Sequence, residues 1–271
     1  MDIDVKWRRL GPRHLLWDVL RYYLSIRGPK RQSDWLEHLR ERHALSTETK
    51  DFPVPPETVD LLSEYLLVRT QACDVAIRRL RTEAEAIAFC KSHGMKVRKT
   101  ATKTRVHHQA AKALIGAVDI VARRVTDVVD TDPQTRCIWC HENGLHVTAR
   151  NVDGAVPSTA NPKVIWEIKE YWGKTKGGSK MSDAVYECHL VGRELLDFEE
   201  ASGVVVQHAV FVDGKEQWGY RASDLRRLID LTHQGFIDQL FVGTDVETEF
   251  EAWLRQALSD DKPVSDKSAA F

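Results

Sequence analysis

Apolar residues in the first 130 positions recur at intervals of three and four, which is the spacing of amphipathic helices. Gly28-Pro29 ends the first such segment, and Ser33-Asp34 offers an N-cap for the second. The third segment is compatible with one long helix or with two in sequence. The predicted helices cover residues 13–27, 33–43, 57–93 and 105–130. We therefore expect this part of the chain to be essentially all helical.

After Asp132-Pro133 the pattern changes to short apolar runs that are typical of strands. The run at 204–212 is β-branched and almost wholly apolar, as in a buried strand. Strands followed by helices predict an α/β protein with a central mixed sheet flanked by helices. The expected regions are a helical part at 1–100, an α/β core at 101–258 and a polar tail at 259–271. The predicted elements are strands at 145–149, 163–169, 204–212 and 239–243 and helices at 181–197, 222–232 and 246–258.

The composition is that of an ordinary globular protein, with 271 residues, 42% hydrophobic and 29% charged. No apolar run reaches the roughly 20 residues that a membrane span needs. The charged start of the chain is unlike a signal peptide, and five cysteines, an odd number, favour reduced thiols. We expect a cytoplasmic protein.

The net charge of -1 hides two halves of opposite sign. Residues 1–124 hold 24 Lys and Arg against 15 Asp and Glu, a net of +9, and the remainder has a net of -10. The basic excess is sharpest between Lys91 and Lys112, where no acidic residue occurs. Such a run favours contact with a polyanion, and a solvated loop is the alternative. The nucleic-acid-binding residues expected here are Lys96, Arg98, Lys99, Lys103 and Arg105.

A carboxylate and an amine end the apolar run at 163–169. The two-residue period of a strand places Glu167 and Lys169 on one face and Trp166 on the other. Asp153 lies 14 residues before Glu167, a distance that fits two adjacent strands joined by a turn. Two neighbouring carboxylates suit Mg²⁺, and a nearby lysine can activate water or neutralise charge on a phosphorus centre. The set predicts metal-assisted phosphodiester hydrolysis, and a plain turn with an exposed charge pair is the alternative.

Asp153…Glu167-Ile168-Lys169 resembles the motif of the PD-(D/E)XK nuclease superfamily, to which most type II restriction endonucleases belong. The resemblance covers residues 105–245, whose predicted order is helix, three-stranded meander, helix and strand. Val152 stands where the family motif has proline.

The resemblance implies a restriction-endonuclease-like core that cleaves double-stranded DNA with one or two Mg²⁺ ions. It makes Asp153, Glu167 and the backbone carbonyl of Ile168 the metal ligands, and Lys169 the catalytic lysine. Asp119 is the candidate for the further acidic residue that some members add from the first helix. A restriction or phage-defence nuclease is the expected role, and a homodimer would let two sites cut both strands of a palindrome.

Residues 170–180 form a glycine- and lysine-rich segment beside the predicted site. We expect Lys174, Lys176 and Lys180 to contact phosphates. Tyr171 and Trp172 either stack on bases or pack beneath the segment. In the helix that follows, the side chains that could face the metal site are Tyr186, Glu187 and His189.

The segment Cys137-Ile-Trp-Cys140-His141 carries half of a zinc motif. Cys137, Cys140, His141 and His146 could hold a structural Zn²⁺, and plain thiols are the alternative. A haem site is not expected, because no export signal is seen, and a thioredoxin-like redox pair lacks the βαβ context. No P-loop or Rossmann glycine pattern is present. The alternatives to a nuclease are a non-catalytic nucleic-acid-binding module on the same fold and a protein that binds a partner through its helical region.

Overall fold

A computed structural model describes residues 5–46, 50–95, 112–141, 144–172 and 178–259 of the chain. The N-terminal part is a helical layer in which a short antiparallel hairpin precedes the longest helix of that layer. Its elements are α1 (Val5–Arg8), α2 (Leu15–Ser25), α3 (Pro29–Arg42), β1 (Ala44–Ser46), β2 (Asp51–Pro53), α4 (Pro56–Arg79) and α5 (Glu83–Ser92).

The rest of the chain alternates strands and helices. In chain order the elements are α6 (Ala113–Val125), β3 (Asp130–Thr135), β4 (Ile138–His141), β5 (Gly144–Val147), β6 (Val152–Val156), β7 (Val164–Glu170), α7 (Gly178–Ser202), β8 (Gln207–Asp213), α8 (Lys215–Tyr220), α9 (Ala222–Gln234), β9 (Gln239–Val242), α10 (Asp245–Thr248) and α11 (Phe250–Ser259).

Five of these strands form a mixed sheet in the order β3-β6-β7-β8-β9. The pairs β3-β6 and β6-β7 are antiparallel, and β7-β8 and β8-β9 are parallel. Parallel neighbours need a crossover, and α7 supplies it between β7 and β8. The predicted α/β architecture with a central mixed sheet and flanking helices is confirmed.

Helices cover both faces of the sheet with separate apolar cores. On one face Trp166 and Phe211 pack with α6, α10 and α11. On the other face Val210 and Val212 pack with α7 and α9. Cys73 and Ala76 of α4 are buried in this second core, while Leu62 and Tyr65 of the same helix pack with α1 and α2. Helix α4 therefore connects the helical layer to the sheet.

The structure settles one open alternative in the helical part and differs from the prediction in two places. The segment 57–93 is two helices, because Thr82 and Glu85 form a capping box that starts α5. Helix α3 begins at Pro29, since proline suits the first turn, so the N-cap expected at Ser33-Asp34 was wrong. The hairpin β1-β2 corrects the expectation of an all-helical region.

The prediction of a three-stranded meander at 145–169 was wrong in its first strand. The strand at 145–149 is β5, which pairs with β4 in a separate hairpin. The first strand of the meander is instead β3, which lies at the sheet edge where Pro133 is tolerated. Its register with β6 is irregular between Thr131 and Thr135, and the positive φ angles of Asp132 and Gln134 lie inside this irregularity.

The helix predicted at 105–130 is shorter in the structure. Helix α6 begins at Ala113 and ends at Val125, and residue 130 already belongs to β3. Residues 105–111 lie outside the described residues.

Candidate active site

Strands β6 and β7 bring the two predicted carboxylates together. Gly154 pairs with Trp166 across the two strands, so Asp153 and Glu167 follow on the same face of the sheet. One carboxylate oxygen of Asp153, Oδ2, accepts a hydrogen bond of 2.7 Å from the backbone N–H of Ile168. Asp153 is thereby fixed beside the backbone that connects Glu167 to Lys169.

The amine of Lys169 lies between two carboxylates. Its Nζ donates to Glu167 Oε2 at 2.7 Å and to Glu187 Oε2 at 2.9 Å. Burial disfavours the charged amine, but the adjacent Glu167 carboxylate outweighs burial and raises the pKa of Lys169. The amine is therefore protonated at neutral pH and acts as a hydrogen-bond donor.

A second cation completes the cluster from the loop before β6. Arg150 Nη1 lies 2.6 Å from Glu187 Oε1, and Arg150 Nε lies 3.9 Å from Glu167 Oε1. Burial favours the neutral form of Glu187, but Lys169 and Arg150 outweigh burial and lower its pKa. The pKa of Asp153 is raised, first by burial and then by the charge of Glu167. The site therefore joins three carboxylates to two cations.

One carboxylate oxygen of Glu167, Oε1, faces Arg150 Nε at 3.9 Å, which is beyond hydrogen-bond distance. This oxygen is buried and accepts no hydrogen bond within the described residues, although the residue is only 1% exposed. Buried carboxylate oxygens normally find a donor or a cation. The hard oxygens of Asp153 and Glu167 are of the kind that Mg²⁺ takes, since Mg²⁺ binds through one or two carboxylates and keeps several waters.

No group of three or more His, Cys, Asp or Glu side chains within the described residues is arranged to hold a metal ion. A cation between Asp153 and Glu167 would therefore take its remaining ligands from backbone carbonyls, such as that of Ile168, and from water.

The predicted zinc ligands do not form such a group in the part of the chain that is described. Cys137 is fully buried, and burial raises the pKa of its thiol to about 12, whereas Cys140 is exposed. The ring of His146 stacks on Phe198 at 4.9 Å. The side chain of His141 lies outside the described residues.

Most of the basic residues predicted to bind nucleic acid lie outside the residues that the structure describes. Lys180 is exposed on α7. The two aromatics before the undescribed residues 173–177 pack within the fold: Trp172 is 4% exposed, and Tyr171 packs on Trp218 at 5.7 Å. Of the two alternatives for Trp172, its burial favours packing within the fold over stacking on a base. The residues outside the described ranges are Lys96, Arg98, Lys99, Lys103, Arg105, Lys174 and Lys176.

Of the three candidates on the helix after β7, only Glu187 reaches the site. Tyr186 is exposed under the guanidinium of Arg227, and His189 packs on Phe236 at 4.5 Å. Asp119 lies on α6, whose apolar side packs on the opposite face of the sheet, and it bonds Arg123 and Thr131.

Sequence reasoning assigned no role to Arg150. The only available signal was its position three residues before Asp153.

The fold and the site define an α/β protein with a buried cluster of carboxylates and cations on one face of a mixed sheet. The chain belongs to the family described as Domain of unknown function (DUF7687), whose model matches residues 78–257. The matched range includes the whole sheet and every residue of the cluster. Searches of curated proteins and of solved structures gave no match. None of the helices that the structure describes has the length and hydropathy needed to span a bilayer.

Proposed function

We propose that this protein is a metal-dependent endonuclease that hydrolyses phosphodiester bonds of double-stranded DNA. The observation that carries the proposal is the convergence of Asp153, Glu167 and the buried Lys169 amine on one sheet face. The order α6, β3, β6, β7, α7, β8 also supports a restriction-endonuclease-like core, because it repeats the helix, meander, helix and strand of that superfamily. A restriction or phage-defence nuclease acting as a homodimer is the form of this function that we favour.

In this proposal the metal ligands and the lysine have separate roles. Asp153, Glu167 and the Ile168 carbonyl would hold Mg²⁺, which supplies a Lewis acid and lowers the pKa of bound water. The Lys169 amine, held between the Glu167 and Glu187 carboxylates, would position the attacking water or donate hydrogen bonds to the phosphate oxygens. In this position it stabilises the negative charge that develops on the phosphorus centre.

The test is incubation of the purified protein with plasmid and phage DNA, in Mg²⁺ and in EDTA. We expect discrete bands that require Mg²⁺. Glu167→Gln and Lys169→Ala should each lower the cleavage rate at least about 100-fold, the usual loss for one electrostatic or acid-base group. The matched control is Asp183→Asn, which neutralises an exposed carboxylate on the same helix as Glu187.

Binding separates the enzyme from its alternative. Lys169→Ala leaves the metal ligands in place, so its gel shift with DNA should match the wild type while cleavage is lost. Cleavage at the wild-type rate by Lys169→Ala would show that the catalytic assignment is wrong. A salt-sensitive gel shift that survives EDTA, with no cleavage by the wild type, would favour the non-catalytic nucleic-acid-binding module.

A further inference from the structure

The charges of the cluster leave room for one divalent cation. Asp153, Glu167 and Glu187 contribute three negative charges, and Lys169 and Arg150 contribute two positive charges. Asp132 also acts on Asp153, but its charge is balanced by Lys112 at 3.5 Å. The sum is therefore -1, so one divalent ion changes it to +1 and two ions would change it to +3. A phosphodiester carries a single negative charge, which the one-ion site complements.

The third carboxylate is not available to a second ion. Glu187 Oε1 lies 2.6 Å from Arg150 Nη1, and Glu187 Oε2 lies 2.9 Å from Lys169 Nζ. Both oxygens are therefore engaged by cations. Two-metal sites place their ions about 3.5–4 Å apart on shared ligands. Of the three carboxylates in the cluster, Asp153 and Glu167 are the two that remain for metal ligation. One Mg²⁺ ion binds through one or two carboxylates.

Arg150 has unused donor capacity at the site. Its Nε is buried, lies 3.9 Å from Glu167 Oε1 and donates no hydrogen bond within the described residues, while about a third of its side chain, 32%, is exposed. The ion pair with Glu187 fixes one side of the guanidinium. A planar guanidinium with further N–H groups available matches the paired oxygens of a phosphate.

We propose that the site binds a single divalent cation and that Arg150 takes the place of a second one, binding the phosphate at the cleaved bond. The proposal rests on the proposed function and adds to it the number of metal ions and a phosphate-binding residue. Glu187 is then a positioning residue, because it holds both Arg150 and Lys169.

The test measures metal binding without substrate and cleavage separately. Titration calorimetry with Mn²⁺ should give one ion per chain in the wild type. Arg150→Gln keeps a hydrogen-bonding side chain beside Glu187 but changes the cluster charge from -1 to -2. Its affinity for Mn²⁺ should therefore rise about tenfold, the effect of one unit charge a few ångströms away, while the cleavage rate falls at least about 100-fold.

Two further variants keep the result interpretable. Arg150→Lys restores the charge without the planar fork, so its Mn²⁺ affinity should return to the wild-type value while cleavage recovers only in part. Arg193→Ala removes a cation of the same chain from an exposed pair with Asp197, and it should change neither quantity. Melting temperatures within a few degrees of the wild type confirm that each variant is folded.

Opposite shifts in metal affinity and cleavage in Arg150→Gln support the proposal. Two Mn²⁺ ions per wild-type chain, weaker metal binding by Arg150→Gln, or undiminished cleavage by that variant would each overturn it. The two proposals fail separately. If the wild type cleaves but binds two ions, the further inference fails alone. If it binds one ion, more tightly in Arg150→Gln, but cleaves no DNA, the single-cation site stands and the nuclease does not.

Discussion

A methyl group added at Gly154 has no space in this fold. An alanine Cβ at this position would lie 1.9 Å from Cε2 of Trp166 and 2.2 Å from its Nε1. Carbon atoms pack at about 3.5–4 Å, so the indole would have to move by about 1.5 Å. Trp166 is fully buried against Phe211 and Phe250 and cannot make that movement without disturbing them.

We expect Gly154→Ala to lower the free energy of unfolding by about 2 kcal/mol. Overpacking a close-packed core costs about 1–3 kcal/mol. Because the clash is with a rigid ring, we expect a cost at the upper end of that range. Replacing glycine in a strand returns about 0.5–1 kcal/mol of backbone entropy. The control is Gly219→Ala on α8, where nothing lies within 4 Å, so stability should stay level or rise by up to about 1 kcal/mol.

Urea unfolding followed by circular dichroism measures the effect, and a double-mutant cycle with Trp166→Phe tests its cause. Trp166 Nε1 has no hydrogen-bond partner within the described residues, so the smaller ring forfeits no hydrogen bond. Gly154→Ala should cost at least about 1 kcal/mol less in the Trp166→Phe background. A loss below about 0.5 kcal/mol in the wild-type background, or strict additivity in the cycle, would refute the packing argument.

Three further expectations concern the rest of the molecule. Asp230→Ala leaves the buried guanidinium of Arg69 without its two-pronged partner and should lower the unfolding free energy by about 3–5 kcal/mol in urea titrations. Burial raises the pKa of Asp213 to about 6, so the folded state binds this proton more tightly than the unfolded state. Its contribution to stability falls as pH rises from about 4 to 6, and the stability difference between wild type and Asp213→Asn should be about 2–3 kcal/mol larger at pH 4 than at pH 7. Cys140 is exposed and the other four thiols are buried, so a thiol reagent should modify one cysteine rapidly and none in Cys140→Ser, and added zinc should not protect it.

The central strand could be predicted from local pattern alone. The two-residue alternation of β7 placed Glu167 and Lys169 on one face, and the structure confirms it through their direct contact at 2.7 Å. Trp166, on the other face, is fully buried. Helix α7 and strand β8 were found for the same reason, since a buried element must repeat its apolar residues at its own period.

The edge of the sheet could not be predicted in this way. Strand β3 has the sequence DTDPQT, which contains no apolar residue and includes Pro133. Its assignment depends on pairing with β6, which is a tertiary contact. Strand β5 alternates convincingly yet pairs outside the sheet, because alternation identifies a strand but not its partner.

The charged residues of the site also differ in whether local sequence or tertiary packing brings them together. Glu167 and Lys169 are two residues apart on one strand, so local geometry places them together. Arg150 and Glu187 are 37 positions apart, and their contact exists only once α7 has packed on the sheet. No periodicity in either segment indicates that pairing.

The two faces of β7 differ in what they contribute. On one face Val164 and Trp166 are apolar and fully buried, which favours folding by removing apolar surface from water. On the other face Glu167 and Lys169 are charged and only 1% and 6% exposed. Desolvation of such groups offsets most of their mutual attraction, and apolar residues of similar volume are often as stable or more stable in the same place.

The face of β7 that carries Glu167 and Lys169 also has an apolar contact with α7. One alternation earlier, Ile165 is buried in the same cluster as Val191 of α7 without any charge. The contact between β7 and α7 therefore does not require Glu167, Lys169 or their partners on α7 and before β6. Because packing alone gives no reason for these charges, their grouping supports the proposal that this face of the sheet binds a cation and a phosphate.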